Sequence, residues 1–183
     1  MTPQPRRHTS GFESRSGTLD NTGYSVYAGI NNHNREENIM SNAIGRAEIG
    51  EYLDGYLDAA IFTGMEWDHL DCDGYSAATE LPRDVEVPDD IKLAVYTDAI
   101  SVLSTLLGNG DDTLARYAEQ RAGSSEYGAW ELIGHDAHLT ANSHGTGLWD
   151  RGIEQGEELA DRLGNFHGGT LTRDTSTGEF YYE

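Results

Sequence analysis

The chain has 183 residues and a formal net charge of −20, from 32 acidic against 12 basic side chains, with 37% hydrophobic residues and a mean hydropathy of −0.60. That length accommodates one compact domain with a real core rather than two ordinary ones, and 10 Tyr, 4 Phe and 3 Trp exclude a wholly disordered chain. The charge argues against direct contact of the acidic body with nucleic acid or anionic membrane, since duplex affinity comes largely from Lys and Arg displacing counterions, and no apolar run approaches a membrane span.

Residues 1–16 carry Arg6, Arg7 and Arg15 against Glu13, a charge of +2 that leaves −22 on the remainder. The Arg6-Arg7 pair is followed by HTSGFESRSGTLDNTG rather than an apolar run, so an export signal is not expected. A composition of Thr, Ser, Gly, Arg and Pro without apolar periodicity predicts a mostly disordered leader over 1–42. Within it YSVYAGI, residues 24–30, is a candidate short strand, and residues 43–183 are expected to form a single acidic helical domain.

Over 43–62, Ile49, Tyr52, Leu53, Tyr56, Leu57 and Ala60 fall on one stripe of a 3.6-residue period, with Glu48, Glu51, Asp54 and Asp58 opposite and Gly64 at the end. Residues 65–86 lack periodicity and predict a long acidic loop; it contains Cys72, which as the one cysteine can form no internal disulfide. Pro88 at the first helical position, followed by Asp89 and Asp90, starts a second helix, because the missing N–H costs nothing there and the acids meet the positive dipole end. Its stripe of Ile91, Val95, Ala99, Val102, Leu103 and Leu106 belongs at the centre of the core, and Gly108 stops it.

Asp111 or Asp112 caps a shorter helix running to about Ala122, where Gly123 ends it. Ser124 or Ser125 opens another that carries Trp130 and Ile133 on one side and runs towards Leu139. The last helix, from about Ile153 to Leu163, has Glu154, Glu157 and Glu158 near its start and Arg162 near its end. TLTRD and EFYYE flank TSTG as a C-terminal β-hairpin, which must pack on the helices because a lone hairpin is marginal, and which can pair with the strand near Tyr24. The expected fold class is mainly α, or α+β by virtue of that hairpin.

Residues 134–152, GHDAHLTANSHGTGLWDRG, concentrate polar side chains and glycine beyond what core formation needs. His135 and His138 share a helix face and His144 can fold back towards them; Asp136 or Asp150 would complete a nitrogen and oxygen donor set suited to zinc or another divalent metal. The spacing matches neither HExxH nor a CxxC arrangement, so no cofactor is expected. In a catalytic reading His144 acts as general base, oriented by Asp136 or Asp150, with Arg151 stabilising a developing anion and Ser143 as a nucleophile candidate. Gly145 and Gly147 could offer N–H groups to a phosphate, although GTG lacks both the P-loop Lys and the full dinucleotide pattern.

Folding alone accounts for much of the segment. The glycines permit the turn, Leu148 and Trp149 plug it into the core, and Asp150 pairs with Arg151 and caps the last helix. Folding leaves the polar residues in mid-turn unexplained, so Asn142, His144, Gly145, Gly147, Trp149, Asp150 and Arg151 are the candidate binding residues.

LTANSHGTGLWDRG resembles the C-terminal block LTxNxHGxGFWDRG of a family of small acidic proteins from tailed phages and prophage-like elements. Leu139, Thr140, Asn142, His144, Gly145, Gly147, Trp149, Asp150, Arg151 and Gly152 fit it, and His135 and Asp136 match upstream positions. EYLDGYLDAAIFT resembles the family's early helix, the Pro88 helix its middle one and the terminal hairpin its end strands, so the resemblance spans about 43–183. Ala141 stands where relatives often carry a basic residue, and Leu148 replaces an aromatic.

The resemblance implies a virus or mobile-element accessory protein acting in the host cytoplasm, and implies no reaction, cofactor or catalytic residue. With the acidity, it points to binding of a host protein that is basic or handles nucleic acid, in a counter-defence role, rather than to an enzyme. A single lysine, Lys92, against 11 Arg is equally the composition of a halophilic or GC-rich source, in which charge maintains solubility. Two alternatives stay open: a small His/Asp-dependent enzyme or metal-binding protein, and a virion-associated structural component.

Overall fold

The apolar stripes become helices in the order they are read. The structure, a computed structural model, describes residues 44–67, 79–108, 110–122, 127–164 and 166–183. The expected leader with its strand at 24–30, Cys72, Gly123, Ser124 and Ser125 lie outside the described residues, and the helix expected to open at Ser124 or Ser125 starts instead at Ala129, after an extended Gly128. The elements are α1 (Arg46–Thr63), β1 (Met65–Trp67), β2 (Thr79–Glu80), α2 (Asp89–Leu107), α3 (Thr113–Arg121), α4 (Ala129–Ala141), a 3-10 turn (Leu148–Arg151), α5 (Gly156–Leu163), β3 (Leu171–Asp174) and β4 (Phe180–Tyr182). The protein is mainly α, with one small sheet that includes a C-terminal strand pair.

On α1, Tyr52, Leu53, Tyr56 and Ala60 are buried as the stripe predicts, whereas Ile49 and Leu57 are only partly covered and Gly55 and Ala59 are buried instead. The stripe is rotated because α4 packs on this helix at glycines. A Cβ on Gly55 would run into the backbone of Glu131, and one on Gly134 into the Tyr52 carbonyl, so both helices need bare backbone where they cross. α2 buries Val95, Ala99, Val102, Leu103, Leu106 and Leu107 and packs against α1, α3, α4, α5 and β4, the central place its hydrophobicity predicts. Pro88 sits one position earlier than expected, as the N-cap.

Two sequence expectations change. The 65–86 stretch is not all loop: β1 pairs in parallel with β3 (Met65↔Thr172, Trp67↔Asp174) and β2 lies antiparallel on its other side, giving the order β2-β1-β3-β4. β3 is thereby paired on both edges. Glu66 and Arg173, directly opposite in the ladder, form an ion pair at 3.1 Å that fixes this register. The last helix also starts later, at Gly156, because residues 148–151 wind as a 3-10 turn and Gly152 then takes a left-handed conformation (φ 69°).

Candidate functional site

The 134–152 segment places its polar residues in two clusters on opposite faces of α4. The first is centred on Asp136, whose side chain is 1% exposed. Arg151, from the 3-10 turn, donates to Asp136 Oδ1 through Nε (3.0 Å) and Nη2 (2.6 Å), and Arg121, at the end of α3, donates to Oδ2 through Nε (3.1 Å). The fully buried Tyr117 hydroxyl donates to the Leu148 carbonyl (3.3 Å) and lies 3.5 Å from Asp136 Oδ2. A carboxylate this deep is tolerable only with such compensation. Burial works against the charged Arg151 guanidinium, but its hydrogen bonds and attraction to Asp136 prevail and raise its pKa.

The second cluster is centred on His138, which is 1% exposed. The Thr63 hydroxyl donates its single proton to the Ala59 carbonyl (2.9 Å), so at 3.0 Å from His138 Nε2 it can only accept. That contact calls for the neutral Nε2–H tautomer, while the Asn142 amide nitrogen lies about equally far from both ring nitrogens, 3.4 Å from Nδ1 and 3.5 Å from Nε2. Burial, with the neighbouring His144 and His135, lowers its pKa to about 3. Tyr56 meets the ring edge-on at 4.9 Å, and the exposed His144 stacks over it at 6.2 Å.

These placements sort the predicted residues. Asp136 is engaged by Arg121 and Arg151 and does not orient His144, which stands beside His138 instead. Asp150 does not cap the last helix: its Oδ1 accepts the Gly147 N–H at 3.1 Å and so caps the 3-10 turn, with a 3.5 Å ion pair to Arg151. Asn142 donates to the His138 carbonyl at 3.1 Å and serves the turn rather than solvent. Gly147 is buried against the Thr140 hydroxyl, which itself accepts the Leu148 N–H, while Gly145 (φ 75°) is exposed. Trp149 is half-buried. Among the described residues, no three His, Cys, Asp or Glu side chains converge as a metal-ligand set, so His135, His138 and His144 are not brought together for one.

His135 faces a cleft of about 340 Å³ beside the α1–α4 crossing, where Phe62, Arg83, Arg121 and Tyr127 join Asp136 and Arg151. Burial holds its pKa below the usual histidine value, against the pull of Asp136 and Asp58. Arg83 lies over the Phe62 ring at 5.2 Å. These cleft residues were not singled out from sequence: Phe62, Arg83 and Arg121 belong to three separate segments, and nothing in their spacing announces that they meet.

A further, partly buried polar centre was also illegible. Asp98 Oδ2 accepts from the Tyr182 hydroxyl (2.6 Å), the Tyr56 hydroxyl (2.8 Å) and the Gly169 N–H (3.2 Å), tying the hairpin to α1 and α2. Burial and the Asp98 charge push the pKa of both tyrosines up.

On the outer surface the pattern reverses. Glu51, Asp54 and Asp58 on α1, Asp89 and Asp90 on α2, and Glu157, Glu158 and Asp161 on α5 are exposed. Most of the described cations are drawn into ion pairs: Arg121 and Arg151 with Asp136, Arg162 with Asp111 and Glu158, Arg173 with Glu66, Lys92 with Asp89 and Arg116 with Asp112. No helix among the described residues is long and apolar enough to cross a membrane. Comparison with protein-family models, with curated proteins and with solved structures finds no match to this chain.

Proposed function

We propose that this chain is a virus or mobile-element accessory protein that acts in the host cell by binding a basic, nucleic-acid-handling protein and occupying it, as a counter-defence factor would. The observation that carries the reading is the sorting of charge: most of the described cations are already held by carboxylates, two guanidiniums by the buried Asp136, while helices α1, α2 and α5 turn exposed acids outwards in excess. A surface of that kind attracts a basic partner over long range and repels nucleic acid itself. The resemblance of LTANSHGTGLWDRG to the phage block supports the biological setting.

Immobilised protein incubated with nuclease-treated host lysate tests the reading. It should retain nucleic-acid enzymes that are released both by rising salt and by added duplex DNA. Retention indifferent to duplex would overturn it. If the acidity serves only solubility at high salt, the protein should instead retain nothing basic at low salt and gain thermal stability steeply with added KCl.

A further inference from the structure

The acidic surface leaves the cleft beside the α1–α4 crossing without a use, and that cleft differs from the rest of the molecule in charge and shape. Its volume of about 340 Å³ falls within the range that holds small ligands. Arg83, Arg121 and Arg151 there match Asp58, Glu131 and Asp136 in number, whereas the chain as a whole has 12 basic against 32 acidic side chains. Asp136 is already claimed by two guanidiniums and Arg151 also pairs with Asp150, so the inner end of the cleft is balanced in charge within a strongly acidic chain.

Arg83 adds a second observation. It is exposed and has no carboxylate partner among the described residues, despite the excess of acid, and it is held over the Phe62 ring instead. Flat surfaces gather around it: Phe62 is 47% and Tyr127 55% exposed, and the His135 ring lies 6.1 Å from Phe62. Aromatic faces that protrude to this extent beside a guanidinium that no described carboxylate holds suit a ligand that is itself flat and anionic.

We propose that this cleft binds a planar aromatic ring carrying one phosphate, the chemistry a nucleoside monophosphate presents. The ring stacks against Phe62 and Tyr127, and the phosphate meets Arg83 at the mouth of the cleft. Asp58 and Glu131 accept from ring amino or ribose hydroxyl groups and disfavour a triphosphate by repulsion. The acidic body repels a long strand, so a free mononucleotide is the expected source rather than the 5′ end of a nucleic acid. The proposal does not depend on the partner reading above and fails separately from it.

Calorimetric titration with AMP, adenosine, inorganic phosphate, ATP and a 5′-phosphorylated dinucleotide tests it. AMP should saturate with a dissociation constant below about 1 mM, with adenosine, phosphate, ATP and the dinucleotide each weaker. Arg83→Gln and Phe62→Leu should each weaken AMP by about tenfold with an unchanged melting temperature. Arg116→Gln, which removes an exposed arginine paired with Asp112 outside the cleft, should leave binding intact. Equal affinity for the dinucleotide would assign the same site to a strand end. AMP failing to saturate at about 5 mM, or binding Arg83→Gln and Phe62→Leu as it binds Arg116→Gln, would overturn the proposal.

Discussion

Gly134→Ala sets helix propensity directly against packing. Alanine in a helix interior should stabilise by about 1 kcal/mol relative to glycine. The structure reverses that sign. A Cβ on Gly134 would lie 2.8 Å from the Tyr56 nitrogen and 2.9 Å from the Tyr52 carbonyl carbon, and closer still to the Tyr52 oxygen, where ordinary contact begins at 3.4 Å. All three atoms are backbone, so relief requires α1 as a whole to retreat from α4, loosening Tyr52, Tyr56, Ile133 and Ala137 in the core.

Overpacking costs about 1–3 kcal/mol, and because only backbone atoms stand against the new Cβ the upper part of that range, about 2–3 kcal/mol, applies here; subtracting the propensity gain of about 1 kcal/mol leaves a net loss of about 1–2 kcal/mol. For a domain of this size that is a fall of roughly 2–8 °C in melting temperature. Thermal and urea melts followed by circular dichroism measure it, with Ala115→Gly on the exposed face of α3 calibrating propensity alone. A Gly134→Ala protein that melts at or above the parent would refute the close crossing.

Asp136→Asn leaves Arg121 and Arg151 without their shared counter-charge. Because both can partly rehydrate, the expected loss is about 2–4 kcal/mol in urea unfolding, and a change below about 0.5 kcal/mol would mean the cluster is not compensated as described. Tyr182→Phe removes a 2.6 Å donor to Asp98 and should cost about 1–2 kcal/mol, accompanied by faster amide exchange in β4. His138 is protonated near pH 6.5 when unfolded but only near pH 3 when folded, so between those values the unfolded state binds the extra proton and stability falls as pH drops. The slope approaches about 1.4 kcal/mol per pH unit. It should be shallower in His138→Gln; identical pH slopes in the two proteins would show that the imidazole is not sealed.

Much of the fold was legible because it rests on periodicity. The stripes of α1 and α2 and the Gly-marked hairpin are local signals, and each became the expected element. β1 was missed because three residues, Met65–Trp67, are too few to show alternation, and their partner β3 is more than a hundred residues away. The candidate segment stands out by composition, but its internal wiring does not. His138 and Asp136 differ by two positions in sequence, yet one turns towards Thr63 and the other towards Arg121 and Arg151, a distinction set by which helices flank α4. The Asp98 centre gave no sign at all, because Tyr56, Asp98 and Tyr182 meet only through tertiary packing.

The most direct measurement is a competition at equilibrium: fluorescent duplex bound to a sequence-independent basic DNA-binding protein, titrated with this chain at a series of salt concentrations. The charge sorting predicts that the duplex is displaced at low salt and that displacement fades steeply as salt screens the exposed carboxylates. Duplex that stays bound under a large excess of this chain at low salt would contradict the account.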